Sequence, residues 1–236
     1  MSEKVAIVEK TPPPAEIRRA YDRLSGVYSF FVVPLKRGLL RRGLEKAAIC
    51  SEEKVLEVAV GPGATLLEIL RRVDRNNVVT GVDLSLRMLE RARRRAAAAG
   101  FTKLDLRQAD ARQLPFADAS FDVLFNSFMF DLLPRQDMPV VLAEFRRVLK
   151  PGGRLVLLSL SKSDPTRLSR REKLYAKLPT GWAANLLGGC RPVWMSDLVG
   201  EAGFENIQRE FVPHLIPTEI ITAIKPPSGE KEKEKL

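Results

Sequence analysis

The stretch Val55-Leu56-Glu57-Val58-Ala59-Val60-Gly61-Pro62-Gly63 decides the fold. Its aliphatic, β-branched run reads as a buried strand. The glycines at its end let the backbone turn sharply and approach a ligand closely. Ala64–Val73 follows with Leu66, Leu67, Ile69 and Leu70 at helical spacing. A second buried run, Val78–Val82, leads into Asp83, which stands 22 residues after Gly61. An acid at that spacing is placed to bind ribose hydroxyls.

The glycine pattern narrows the ligand. A dinucleotide site uses Gly-x-Gly-x-x-Gly around a pyrophosphate at the helix N-terminus, but the third position after Gly63 is Leu66. A Walker A loop is excluded as well, because no Gly-Lys-Ser/Thr follows the turn. The turn suits a ligand without phosphates.

Outward from the turn, strands and helices alternate. Leu86–Ala99 reads as a helix ending at Gly100, and Leu104–Ala109 and Phe121–Phe125 read as strands. Met138–Leu149 reads as a helix stopped by Lys150-Pro151-Gly152-Gly153, before the strand Arg154–Leu160. This rhythm predicts an α/β, Rossmann-like doubly wound sheet, mainly parallel, with helices on both faces. A short helix over Ser196–Ala202 precedes Phe204–Val212 and Ile220–Lys225. The short connection Pro213–Pro217 makes that last pair an antiparallel closing hairpin.

Composition sets further bounds. With 236 residues and 45% hydrophobic residues, the chain fits one large domain with a sizeable core. Its two cysteines, Cys50 and Cys190, supply neither a disulfide framework nor a Cys-based zinc site. A single histidine, His214, rules out chemistry that needs two imidazoles, and no metal is expected. No apolar run is long enough for a membrane span. Met1–Pro14 lacks the apolar core of a signal peptide, so a cytoplasmic protein is expected.

Five segments in register resemble the class I S-adenosylmethionine-dependent methyltransferases. The likeness is to the ubiquinone/menaquinone-biosynthesis branch and related small-molecule and lipid enzymes. They are Val55–Gly63; Gly81-Val82-Asp83-Leu84-Ser85 with Met88, Leu89 and Ala92; Gln108-Ala109-Asp110-Ala111 with Leu114-Pro115-Phe116; Phe121-Asp122; and Phe145–Gly153. The resemblance covers roughly residues 20–212 and implies S-adenosyl-L-methionine as cofactor. By it, Gly61 and Gly63 line the methionine and ribose portion, and Asp83 takes the ribose hydroxyls. Leu84 and Met88 flank the adenine, whose amino group Asp110 accepts while Ala111 offers its amide. Asn126 faces the sulfonium, Glu57 stands in the first motif, and Tyr21 belongs to a lid closing over the cofactor. Ala59 stands where the family often has a first glycine.

Read without the resemblance, Asp83 is a strand-end cap and Asp110 opens a turn. Glu57, inside an apolar strand, is either an acceptor for nearby donors or a protonated core group. Ser127-Phe128-Met129-Phe130 reads as a packed wall bordering the acceptor pocket. No base stands out: Tyr28 and His214 are the weak catalytic candidates, and a plain loop histidine is the simpler account of His214.

The acceptor is narrowed by exclusion. Asn126-Ser127-Phe128-Met129 lacks the prolines of amino-methylating nucleic-acid enzymes, and neither cysteine matches a pyrimidine-methylating motif. A small organic or lipid-like acceptor remains, with a phospholipid amino head group as the alternative. A nucleic-acid-binding protein, or one that binds the cofactor without turnover, is the alternative of another class. The cluster Arg91, Arg93, Arg94 and Arg95 has no aromatic interleaved for stacking, which disfavours nucleic acid.

The implied organisation is a methyltransferase domain over 16–226, with a helical lid at 16–50 and an acceptor-side insertion at 161–192, where Arg167–Leu178 is helical. Residues 1–15 and 227–236 read as disordered tails. The net charge of +10 concentrates in the two roofing segments: 16–50 holds eight Lys/Arg against three Asp/Glu, and 161–192 holds seven against two. That basic rim suits an anionic acceptor or an anionic membrane surface. The alternation of apolar and basic residues in Leu35–Leu44 suits a helix lying on such a surface, though its two glycines weaken it.

Overall fold

The structure, a computed structural model, describes residues 33–162, 164, 166, 190–213 and 215–227. In chain order the elements are α1 (Val33–Ala47), β1 (Val55–Val58), α2 (Ala64–Leu70), β2 (Val79–Asp83), α3 (Leu86–Ala98), β3 (Leu104–Gln108), β4 (Phe121–Ser127), α4 (Met138–Val148), β5 (Leu149–Leu160), α5 (Ser196–Glu201), β6 (Glu205–Val212) and β7 (Thr218–Ile224). The seven strands form one sheet in the order β3-β2-β1-β4-β5-β7-β6. The first five in that order pair in parallel. β7 enters between β5 and β6, antiparallel to both. The expected doubly wound sheet with an antiparallel closing hairpin is what the chain forms.

Alternation along β1 sorts the two faces. Val55 points into a core shared with Leu40 and Leu44 of α1, Leu66 and Ile69 of α2, and Leu89 and Ala92 of α3. Leu56 and Val58 point into the opposite core, with Val141, Leu142 and Phe145 of α4 and Val199 of α5. Each four-residue step of helix thus repays its backbone ordering by burying an apolar stripe on one side of the sheet. The chain reverses its winding between β1 and β4, and in open sheets of this kind the crevice outside the carboxyl ends at that point receives the ligand.

Several boundaries differ from the reading of the sequence, and three of them have a visible cause. β1 stops at Val58 instead of Val60, because Ala59 turns to φ 61° and leaves the pleat. β4 runs on to Ser127, held by β5 through Ser127 opposite Leu158. The Lys150–Gly153 stretch, expected to be a stop, is the start of β5. The Gly152 amide donates to Lys225 (2.8 Å) and the Lys225 amide to Gly153 (2.9 Å), so the prolyl-glycyl segment is carried by its neighbour.

α1 forms despite its glycines. A Cβ on Gly43 would meet Leu158 at 2.6 Å, so the missing side chain lets α1 settle against β5. Its apolar residues Leu39, Leu40, Leu44 and Ala47 are all buried in the core. From Lys36 onward, the face left to solvent carries Arg37, Arg41, Arg42 and Glu45. No helix among the described residues is long and apolar enough to cross a membrane. The expected helix Arg167–Leu178, residues 16–32 of the expected lid, and most of the two expected tails lie outside the described residues.

The entry to α2 packs closely on α3. Gly63 sits at φ 77°, and a Cβ there would stand 2.7 Å from the Ala92 Cα in α3. Gly63→Ala therefore meets backbone, not a yielding side chain, and adds about 1–2 kcal/mol of left-handed strain to an overpacking cost of about 1–3 kcal/mol. Its urea midpoint is expected to fall accordingly, whereas Gly38→Ala, with open space around it, leaves the midpoint unchanged or raised.

Candidate functional site

A cavity of about 230 Å³ opens across the carboxyl ends of the strands. Its walls follow the strand order. Asp110 and Ala111 after β3, and Asp83, Leu84 and Ser85 after β2, form one end. The β1 turn from Val58 to Pro62 forms the middle, and Ser127 to Met129 with Leu132 to Pro134 after β4 form the other end. Lys36 and Leu40 of α1 cover that second end.

The β1 turn is built from left-handed residues. Ala59 (φ 61°), Gly61 (φ 54°) and Gly63 (φ 77°) alternate with Val60 and Pro62, whose φ is not positive. Two bonds hold the turn against β2. The Val60 amide donates to the Val82 carbonyl (3.1 Å), and the Gly61 amide donates to Asp83 Oδ2 (2.8 Å). Asp83 Oδ1 accepts from the Ser85 amide (2.9 Å), and Ser85 caps α3 by accepting from the Met88 amide (3.3 Å). One carboxylate thus fastens the β1 turn and the entry to α3 together, as the strand-end reading of Asp83 expected.

Beneath the turn, Glu57 is fully buried on the α2 side. Burial pushes its carboxyl well above its ordinary range, the charge of Asp83 pushes the same way, and a hydrogen bond with Thr65 pulls it back. Asn126 is also buried. Its Nδ2 donates to the Val58 carbonyl (2.8 Å), pinning the last residue of β1.

Asp110 forms an ion pair with Arg112 at 2.6 Å, and Arg112 reaches Asp137 at 3.1 Å. The Arg112 guanidinium holds the Asp110 carboxyl below its ordinary value. The loop behind it is fixed from α4: Glu144 accepts from the Leu114 amide, and Arg147 donates to the carbonyls of Leu114 and Phe116.

Of the residues singled out in the sequence, the fold brings Ala59, Gly61, Asp83, Leu84, Met88, Asp110 and Ala111 to the cavity wall. Gly63, Glu57 and Asn126 do not line it; they hold the turn from below or behind. Tyr21, Tyr28 and His214 lie outside the described residues. Among those described, no cluster of His, Cys, Asp or Glu is able to hold a metal ion.

Two wall residues, Thr65 and Lys36, escaped the sequence reading, and Phe128, read there as part of a packed wall, lines the cavity. Thr65 carries the hydroxyl that meets Glu57. Phe128 is held at φ 55° by its amide bond to the Leu158 carbonyl (2.7 Å), a strained setting for an aromatic residue. Lys36 is buried with its ammonium 3.6 Å from the centre of the Phe128 ring. Helical phase did carry the signal for Lys36, which stands three and four residues before the buried Leu39 and Leu40; the basic neighbours hid it.

The comparisons with known proteins agree with this geometry. Residues 55–153 match the methyltransferase domain family. The ubiquinone/menaquinone biosynthesis C-methyltransferase UbiE of Geotalea daltonii is 34% identical over 142 residues, 60% of this chain and 58% of that protein. The demethylmenaquinone methyltransferase of Staphylococcus aureus is 35% identical over 163 residues, 68% of this chain and 64% of that protein. The match therefore spans about three fifths of the length of these relatives. A solved SAM-dependent methyltransferase of Methanosarcina mazei superposes with a TM-score of 0.62 over 78% of this chain and 98% of its own, at 19% identity, a likeness of fold.

Glu57 offers a test of the buried charge. With its folded-state value raised, the protein binds the Glu57 proton more tightly than the unfolded chain does. The associated stability is complete below the ordinary carboxylate value and is lost as pH rises through the folded value. Glu57→Gln keeps the shape without the charge, so its melting temperature should exceed that of the parent at about pH 8 and approach it toward about pH 4. A constant difference across that range would assign the effect to packing.

Proposed function

We propose that this chain, whose residues 55–153 belong to the methyltransferase domain family, moves a methyl group from S-adenosylmethionine to a small organic or lipid-like acceptor. The observation that carries this reading is the cavity at the β1/β4 reversal, with two acids at one end and a largely apolar wall at the other. Gly61 tests the fit: nothing stands within 4 Å of the place its Cβ would occupy, so the turn leaves room for a ligand lying against the backbone. When bound, the cofactor supplies a methyl group already activated by a sulfonium.

The residues then divide the work. Asp83 accepts from the ribose hydroxyls while its two amide bonds keep it aimed, and each of its oxygens has two lone pairs for this double duty. Leu84 and Met88 flank the adenine, Asp110 accepts from the adenine amino group, and the Ala111 amide stands beside it. Gly61 and Ala59 border the methionine portion. Glu57 and Asn126 act as positioning residues, through Thr65 and through the Val58 carbonyl. Phe128, Met129, Leu132 and Leu133 exclude water and hold the acceptor in line with the methyl group, a positioning effect worth several kcal/mol, about 7–11 kcal/mol at its best. An aromatic quinol-type acceptor suits that apolar wall, and the names of the two quinone-pathway relatives support it.

A second feature supports contact with an anionic membrane surface. A groove between α1 and α2 is lined by Arg37, Arg41, Arg42, Arg71 and Arg95 against Glu45 and Glu68, and it shares Leu40 and Ala64 with the cavity. Since Leu39, Leu40 and Leu44 of α1 are buried in the core, such contact is electrostatic and screened by salt.

Two measurements test these statements. Asp83→Ala should weaken S-adenosylhomocysteine binding by calorimetry by at least about tenfold, the scale of one charge-assisted hydrogen bond; unchanged affinity in a folded variant would sink the site assignment. The full chain should co-sediment with phosphatidylglycerol vesicles at low salt, and Arg37→Glu with Arg41→Glu should abolish this. Failure of the parent protein to sediment removes the membrane reading and leaves the methyl-transfer reading intact.

A further inference from the structure

Among the described residues, the end of the cavity beyond β4 is largely apolar, with Ser127 and the cation of Lys36 as its polar members. Leu40, Phe128, Met129 and Leu132 form its wall, and Lys36 enters among them with 7% of its surface exposed. Removing an ammonium from water is costly unless charge or hydrogen bonds compensate for it. Two features of the fold keep Lys36 there. Its ammonium lies over the face of Phe128 at 3.6 Å, a cation–π contact, and Phe128 presents that face only by accepting φ 55°. Backbone strain of this kind persists where the surroundings fix it, and it clusters at ligand clamps. Behind the wall, the buried Asp131 feels the Lys36 charge. Burial raises the Asp131 carboxyl, and Lys36, a hydrogen bond from Cys190 and the charge of Arg191 lower it. Arg191 in turn fixes this corner through the Leu133 carbonyl, and its amide donates to the Asp131 carbonyl at 3.0 Å.

We propose that Lys36 is the anion-binding group of the acceptor end, and that the acceptor is an acidic phenol or enol taken up as its oxyanion. The inference rests on the methyl-transfer reading for what the bound anion is used for. It follows from two requirements. A cation set in a largely apolar wall lowers the energy of a ligand anion far more than it would in water. The same cation opposes an ammonium head group, which makes an amine acceptor the poorer occupant of this end. An acceptor that binds as its anion has given its proton to solvent beforehand, so no side chain has to remove one at the moment of transfer. Of the other charged groups, Asp131 lies behind the same wall within the field of Lys36 and Arg191, whereas Asp83 and Asp110 line the opposite end and Glu57 lies beneath the β1 turn.

The test uses the full chain with S-adenosylhomocysteine present and two probes of nearly equal shape, 4-nitrophenol and its methyl ether 4-nitroanisole. The visible band of the phenolate reports its ionisation. Bound 4-nitrophenol should ionise at lower pH than the free probe. Lys36→Met should weaken its binding by about tenfold or more, the scale of a charge-assisted hydrogen bond, while 4-nitroanisole binds parent and variant alike and Lys36→Arg retains most of the preference. If Lys36→Met fails to fold, the double variant Lys36→Met/Asp131→Asn removes both charges together and should bind the ether while losing the phenolate. Equal losses for both probes, an unshifted ionisation, or no binding of either probe overturns the proposal. Absence of S-adenosylhomocysteine binding in a separate titration overturns the methyl-transfer reading instead.

Discussion

One carboxylate organises the functional end of this molecule. Asp83 takes the amide of Gly61 with one oxygen and that of Ser85 with the other. Those two bonds draw the end of β1 and the start of α3 to the tip of β2. Without them the turn would lose its hold on β2, and nothing there would offset the left-handed setting of Ala59, which costs a non-glycine residue about 1–2 kcal/mol. The cavity floor, the cap of α3 and the close packing of α2 on α3 all inherit their position from this anchor. The cost appears directly below, where Glu57 lies in the field of the same carboxylate and is held toward its neutral form.

Much of this was legible in the sequence because it depends on local chemistry. The aliphatic run Val55–Val58, the glycines after it and the acid 22 residues on specify a strand, a turn and an acid at the end of the next strand, and the bond from the Gly61 amide to that acid is what the structure adds. The alternation of strands and helices followed from periodicity, and the closing hairpin from a connection too short for a crossover. What escaped depends on tertiary context. The Lys150–Gly153 stretch reads as a breaker, yet it pairs as strand because β7 lies alongside it. Glu57 and Asn126 look like ligand contacts, but the pleat turns both into the protein, where they brace the turn. Lys36 reads as one more basic residue of a surface helix until the buried stripe of α1 fixes its phase.

Ala59 is an instructive departure. Its φ of 61° is a glycine setting occupied by alanine, so the chain tolerates there a conformation that it supports elsewhere with Gly61 and Gly63. The supports are visible: Val60 is bonded to Val82 on one side, and Val58 is pinned by Asn126 on the other. Strain held between two fixed neighbours limits how far the turn can relax, which favours a preorganised wall over an adaptable one.

The placing of β7 between β5 and β6 bears on how the molecule behaves in a crowded solution. It leaves β3 and β6 as the two margins of the sheet, and an uncovered margin is a template for pairing with another chain. Both margins interleave charge with their apolar side chains: Asp105 and Arg107 form an ion pair along β3, and Glu205, Arg209 and Glu210 stand along β6. Glu210 is further engaged by Arg42 and Lys46 from α1. A second copy approaching either margin would have to strip water from these groups before gaining a single ladder bond. The arrangement that completes the sheet also guards it against growing.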